Sequence, residues 1–256
     1  MSVKIGLLGF GRTGSVVAKE IVNDPDLTIE WVCRKSIPSG FSFASHALGF
    51  DDDFAPFVTF DQMNQKFLKE HPVDLIIDFS SNAACKAYDL VTSSGIKIVS
   101  AISQYSDNEK ETIKKASAKA AILSSPNITL GINWMMITSK VLQKIIPNAD
   151  IEIVEEHFRD KPETSGTALK LANQLNIDPV KHVNSIRVGG IVGKHEVIFG
   201  LPYQTIRLTH ESVSRSAFGT GAVFAAKWLS QQPPGLYTME QLFYEKFLSQ
   251  MKELSL

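Results

Sequence analysis

Near its start the chain reads Val3-Lys4-Ile5-Gly6-Leu7-Leu8, breaks into Gly9-Phe10-Gly11-Arg12-Thr13-Gly14, and continues as Ser15-Val16-Val17-Ala18-Lys19-Glu20-Ile21-Val22. A buried strand, a G-x-G-x-x-G turn and a helix with one apolar face, in that order, constrain the fold more than any other stretch. Glycine lets the turn bend sharply and lets a bound group approach the backbone. The helix start then offers free N–H groups and the positive end of its dipole to a pyrophosphate. Gly9, Gly11 and Gly14, with Arg12 and Thr13 between them, are therefore candidate residues for binding a dinucleotide. The other reading of the same stretch is a tight structural turn.

The segments that follow extend the pattern. "LTIEWVC" alternates Leu27, Ile29, Trp31 and Cys33 with other residues, "VDLIIDFS" and "IKIVSAIS" read as buried strands, and "NAACKAYDLVTSS" between them fits a helix. "AAILSSPNI" adds a further strand. Strands alternating with helices predict an α/β domain built on a parallel, Rossmann-like sheet. In that architecture the end of the second strand faces the adenosine ribose. An acid there, about 20 residues beyond the glycines, holds a free 2′-hydroxyl. Here the strand ends in Arg34-Lys35-Ser36. Two cations attract a 2′-phosphate, so these residues favour NADPH, with NADH possible. A solvated pair of cations is the alternative.

The second half changes character. "ADIEIVEEHF", "SIRVGGIVGKHEVIFG" and "QTIRLTHESV" are strand-like runs with few helices between them, and "INWMMITSKVLQKII" reads as a helix leading into them. This α+β pattern predicts a second domain. The helical spacing of "SAFGTGAVFAAKWLSQQ" and "TMEQLFYEKFLSQM" suggests a return to the first. The expected division is 1–127 with 216–256 for the dinucleotide-binding domain and 128–215 for a substrate-binding and oligomerisation domain.

Composition narrows the partners. A net charge of −1 lacks the basic excess of a nucleic-acid footprint. No apolar run approaches the roughly 20 residues of a membrane span. The two cysteines, Cys33 and Cys85, outline neither a metal site nor a disulfide framework. The N-terminal apolar run is too short for a secretory signal, so the cytoplasm is the expected compartment. A small molecule remains as the partner.

The stretch from Glu155 to Ala168, "EEHFRDKPETSGTA", carries the densest chemistry. "DIEIVEEH" reads as a strand with Ile151, Ile153, Glu155 and His157 on one face. In "TALKLANQL", Ala168, Leu171, Ala172 and Leu175 form the apolar stripe of a helix. Ser165, Gly166 and Thr167 then lie at the helix start, where backbone N–H groups and two hydroxyls make a cradle for a carboxylate or phosphate. Lys161 adds a positive charge, and His157 stands near for proton work. Taken one at a time, Ser165 also reads as a helix cap, Lys161 as a solvated lysine and His157 as a half-buried histidine.

Several motifs in one order resemble the dihydrodipicolinate reductase family. The resemblance covers nearly the whole chain. It includes "GFGRTG", Asp78-Phe79-Ser80, "PNITLGIN", the sequence from Glu155 and His157 through Lys161 to Ser165-Gly166-Thr167-Ala168, "IRVGGIVGKHEVIFG", and "THESVSRSAFGTGAVFAAKWL". It implies a Rossmann-like domain plus an open mixed-sheet domain that assembles a homotetramer. It also implies hydride transfer from NAD(P)H to an unsaturated cyclic dicarboxylate, giving tetrahydrodipicolinate in lysine and diaminopimelate biosynthesis. His157 and Lys161 are then the catalytic, proton-handling pair, Ser165, Gly166 and Thr167 hold a substrate carboxylate, and Phe79 and Ser80 lie near the nicotinamide.

Three positions depart from the family pattern. Phe158 stands where a second histidine is usual, with Arg159 next to it. The loop from Lys161 to Ser165 is one residue shorter, with Thr164 in place of proline. "SAIS" at 100–103 replaces Gly-Thr-Thr-Gly. All three concern ligand contacts, so two other readings stay open: a reductase of another small dicarboxylate or amino acid on the same scaffold, or a non-catalytic NADP sensor.

Overall fold

The computed structural model describes residues 2–37 and 39–254. Its elements begin with β1 (Val3–Leu8), α1 (Gly14–Val22), β2 (Leu27–Arg34), α2 (Ala44–Ala47), β3 (Phe57–Thr59), α3 (Gln65–Glu70) and β4 (Leu75–Asp78). A 3-10 turn at Asn82–Ala87 leads into α4 (Tyr88–Ser93), β5 (Lys97–Ser100), α5 (Asp107–Ala116) and β6 (Ala121–Ser124). Then come α6 (Leu130–Ile145), β7 (Asp150–His157), α7 (Gly166–Gln174), α8 (Pro179–His182), β8 (Val183–Arg187), β9 (Lys194–Leu201) and β10 (Gln204–Glu211). The chain closes with α9 (Ser216–Leu229), β11 (Gly235–Tyr237) and α10 (Met239–Glu253). It divides into two compact units, Met1–Ile128 with Phe218–Leu242, and Thr129–Ala217 with Phe243–Leu256. Against the expected return of all of 216–256 to the first domain, the stretch from Phe243 falls with the second unit. There Phe247 packs on Trp134 of α6, ring centroids 5.8 Å apart.

The first unit is the Rossmann-like α/β body. Its seven strands lie in the order β11-β6-β5-β4-β1-β2-β3 and pair in parallel throughout. Parallel strands covered on both faces need continuous apolar runs, and Ile5, Leu7, Leu8, Leu75, Ile76, Ile77, Ile98 and Ile122 are fully buried. Each such side chain contributes about 1.5–3 kcal/mol of burial. Strand order turns around at β1, with β4 on one side and β2 on the other. A crevice outside the carboxyl ends of β1 and β4 is where open α/β sheets bind ligands. Gly9 N–H donates to Cys33 O at 2.8 Å and Phe79 N–H to Leu8 O at 2.9 Å, so the glycine turn and the Asp78-Phe79-Ser80 stretch leave the sheet side by side.

The second unit has a mixed sheet, β10-β9-β7-β8, in which β7 pairs antiparallel to β9 and parallel to β8. Ile151 and Ile153 of β7, Val197 and Phe199 of β9, Met135 and Met136 of α6, and Ala168, Leu171 and Ala172 of α7 form its core. "SIRVGGIVGKHEVIFG" is two strands rather than one run. Gly189, at φ 54°, lies in the break between β8 and β9. Register then sets one row across all four strands, Ser185–Glu155–His195–His210, whose side chains share a face. The neighbouring row pairs His157 with Arg187.

Candidate active site

In the first unit the glycine turn is fixed by close approaches. Gly9 has φ 92°, and a Cβ there would lie 2.7 Å from Phe79 O. A Cβ on Gly14 would meet Gly9 O at 2.2 Å. Gly11 has no such neighbour within 4 Å, which leaves its backbone open to a ligand. The arrangement therefore fits a dinucleotide: two glycines pack the turn and the third leaves room for a phosphate. Thr13, at the N-cap position of α1, makes no capping bond with its side chain. It lines a cavity of about 390 Å³ with Phe79, Ser80, Ser81, Asn82, Ala101, Ile102, Ser103 and Gln104. Three cavity residues, Ala101, Ile102 and Ser103, belong to the stretch that departs from the family pattern.

Ser80 is held from below. Its backbone N–H and its hydroxyl both donate to Asp78 Oδ1, at 2.8 and 2.6 Å, while Tyr88 OH donates to Oδ2 at 2.7 Å. Burial pushes the Asp78 carboxyl upward, and these hydrogen bonds oppose the shift. Arg34, at the end of β2, has its guanidinium 5.7 Å from the centre of the Phe57 ring, which itself packs edge-on to Phe10 of the glycine turn. Lys35 and Arg12 are exposed. The structure thus brings Thr13, Phe79 and Ser80 together, and leaves Arg12, Arg34 and Lys35 outside the lining of that cavity.

In the second unit the alternation of β7 turns Glu155 and His157 inward. Glu155 is fully buried. Its Oε2 is 2.5 Å from His157 Nδ1 and accepts from Arg187 Nη1 at 2.9 Å. Its Oε1 accepts from Arg187 Nη2 at 2.7 Å, from the Ser185 hydroxyl at 2.5 Å and from the Ser165 backbone N–H at 3.2 Å. Arg187 also holds the loop between β7 and α7, donating from Nε to Lys161 O at 3.0 Å and from Nη2 to Glu163 O at 2.8 Å. One carboxylate and one guanidinium thus fix the imidazole, the loop and the start of α7. Gly166 is exposed, with nothing within 4 Å of where a Cβ would stand. Lys161 is half-buried and Phe158 is 44% exposed.

The charge states follow from these contacts. Burial alone would raise the Glu155 carboxyl, but the bonds from Arg187, Ser185, His157 and Ser165 win and bring it down to about 2. A carboxylate only accepts, so Nδ1 of His157 carries the proton and Nε2 is left to exchange one. Burial lowers the His157 pKa, against the opposing pull of Glu155, with Lys161 and Arg187 adding to the lowering. A Cβ on Gly193 would be 3.1 Å from Nε2, so this glycine keeps the exchanging edge clear.

Residues 3–128 match the family described as dihydrodipicolinate reductase, N-terminus, and residues 131–243 match dihydrodipicolinate reductase, C-terminus. The chain belongs to the dihydrodipicolinate reductase family. It is 34% identical, over 91% of its length and 94% of the relative's, to 4-hydroxy-tetrahydrodipicolinate reductase of Caldanaerobacter subterraneus subsp. tengcongensis. The enzyme of that name from Methanocaldococcus jannaschii is 28% identical over 92% of this chain and 95% of its own. A dipicolinate-bound dihydrodipicolinate reductase from Paenisporosarcina sp. TG-14 shares the fold with a TM-score of 0.75 at 18% identity, covering 93% of this chain and 98% of that one. As a dihydrodipicolinate reductase family member, the chain is an NAD(P)-dependent oxidoreductase, and its first unit is the nucleotide-binding body. Around Glu155 and His157, sequence reasoning missed Arg187, Ser185 and His195. The signal that could have found them is strand pairing: all three lie directly opposite or next to Glu155 and His157 in register.

Proposed function

We propose that the protein reduces 4-hydroxy-tetrahydrodipicolinate to tetrahydrodipicolinate with NAD(P)H, in lysine and diaminopimelate biosynthesis. The observation that carries this reading is the buried Glu155 carboxylate, which aims His157 and anchors the buried Ser165 just before the exposed Gly166 at the start of α7, within one unit. Overall, the C4–OH bond breaks and the hydroxyl leaves as water, giving the unsaturated cyclic dicarboxylate, and that ring is then reduced to the product by a hydride from NAD(P)H and one proton, leaving NAD(P)+. When bound, NAD(P)H supplies the hydride. The glycine turn of Gly9, Gly11, Arg12, Thr13 and Gly14 would hold its pyrophosphate, Phe79 and Ser80 would flank its nicotinamide, and Arg34 with Lys35 would favour a 2′-phosphate.

The substrate's carboxylates are taken by the backbone N–H groups of Gly166 and Thr167 and the hydroxyls of Ser165 and Thr167, with Lys161 supplying charge, while the Ser165 N–H stays on Glu155. His157 rests neutral because burial lowers its pKa. A doubly negative ligand beside it favours the imidazolium, and Glu155 stabilises that cation through Nδ1. Nε2 then gives its proton where hydride arrival leaves negative charge, with Lys161 sharing the proton handling. Phe158 offers no anion contact, so the cradle and Lys161 carry that task. We further infer a homotetramer acting in the cytoplasm, on the resemblance to the family alone.

The test supplies aspartate semialdehyde and pyruvate with a dihydrodipicolinate synthase and follows NADPH oxidation. Turnover is expected, with His157→Ala reducing kcat by about 100-fold or more. NADPH that is bound but never oxidised would identify a sensor and end this reading.

A further inference from the structure

Ser165 occupies the N-cap position of α7, yet its hydroxyl makes no capping bond, contrary to the cap that its position suggests. The hydroxyl oxygen instead lies 2.8 Å from Nε2 of His195. His195 is 5% exposed, and its Nδ1 is buried without a hydrogen-bond partner among the described residues. It stands opposite Glu155 in the sheet, with its ring edge-on to His157 at 5.3 Å.

Two tautomers satisfy the contact to Ser165. With the proton on Nδ1, the hydroxyl donates to Nε2; its one proton is then spent inside the protein and a buried N–H is left orphaned. With the proton on Nε2, the ring donates to the hydroxyl oxygen; only a lone pair on Nδ1 goes unused, and the hydroxyl proton is free to point elsewhere. Buried orphan N–H groups are rarer than underused acceptors, which favours the second arrangement. Burial, helped by the neighbouring His157, also lowers the His195 pKa to about 3, so the ring stays neutral and keeps a single donor.

We propose that His195 is a positioning residue that donates its Nε2–H to Ser165 Oγ and thereby reserves the Ser165 hydroxyl proton for a substrate carboxylate. This rests on the reading of the α7 start as the carboxylate site. It assigns a task to a side chain that does not itself touch the substrate.

A double-mutant cycle tests it, with Ser165→Ala, His195→Leu and the pair. Affinity for pyridine-2,6-dicarboxylate is measured by calorimetry, and KM and kcat in the coupled assay. Each single change is expected to weaken binding and raise KM by about 10-fold or more, with kcat altered by less than about threefold. The pair is expected to be no worse than the worse single change. His195→Gln, which keeps an N–H donor, restores most of the affinity. NADPH affinity, unchanged in every variant, shows that the first unit is intact. On the wild type, 15N spectra of the imidazole place the proton on Nε2 across about pH 5 to 9, a readout that needs no variant to fold. An Nδ1–H tautomer, additive losses, or wild-type dicarboxylate affinity in His195→Leu overturns the proposal. Binding and cycle intact without turnover sinks the proposed reaction and leaves this inference standing; turnover with additive losses does the reverse. A wild type that does not bind the dicarboxylate overturns both.

Discussion

Replacing Glu155 by glutamine keeps shape and volume and changes only which atoms can accept. Among the described residues, the hydrogen bonds to this side chain come from donors: Ser165 N–H, Ser185 Oγ and Arg187 Nη2 at Oε1, and His157 Nδ1 and Arg187 Nη1 at Oε2. An amide turns one of those oxygens into a donor. Either the imidazole and one guanidinium nitrogen lose their acceptor, or the helix start, Ser185 and the other guanidinium nitrogen do. The Arg187 side chain, 20% exposed, is left without its counter-charge. Charge-assisted bonds are worth about 1.5–3 kcal/mol each, and removing one partner of a buried pair costs about 3–5 kcal/mol. Glu155→Gln is therefore expected to lose about 3–5 kcal/mol, or roughly 6–20 °C in Tm for a chain of this size. Calorimetry and urea unfolding measure the loss; adding Arg187→Met should return part of it, because the stranded charge is then gone. The second readout is kinetic: without the carboxylate the imidazolium is less favoured, so the alkaline limb of kcat/KM that reports the protonated His157 moves to lower pH. Wild-type Tm together with an unmoved limb would refute the role given to Glu155.

Three more outcomes follow from the same geometry. Arg34→Glu puts a negative charge over Phe57, where a 2′-phosphate is proposed to lie; isothermal titration should show NADPH affinity falling by about 10-fold or more and NADH affinity nearly constant, and equal losses would remove Arg34 from the cofactor site. Gly193→Ala sets a methyl 3.1 Å from His157 Nε2 while Glu155 pins the other side of the ring, so steady-state assays should show kcat reduced by about 10-fold with little change in NADPH affinity. Acid unfolding has a definite sign. His157 and His195 have lowered pKa values and Glu155 is held at about 2, so the unfolded chain binds more protons at each site. Stability falls as pH drops below about 6.5, by about 1.4 kcal/mol per pH unit for each proton taken up, with the carboxylate's share lost between about 4.5 and about 2. Urea titrations along that range measure the slope, and a flat profile would contradict the buried, neutral imidazoles.

The readable parts of this protein were those set by local periodicity. The strand, glycine turn and helix from Val3 to Val22 form as their pattern dictates, and the inward face of Ile151, Ile153, Glu155 and His157 follows from a period of two. The buried stripe of Ala168, Leu171, Ala172 and Leu175 follows from helical spacing. What escaped was non-local. β3 and β11 are three residues each and carry too little pattern to stand out. Arg187 lies 32 positions from Glu155, and its partnership appears only when β8 is laid beside β7. The link from Ser165 to His195 spans 30 positions and depends on the pairing of β7 with β9.

Arg187 grips the loop at the carbonyl oxygens of residues 161 and 163, so the grip is indifferent to which side chains those positions carry. A segment clamped by its main chain can drift in sequence while its path is preserved. Positions 162 to 164 are thus a natural place for directed evolution to retune ligand preference.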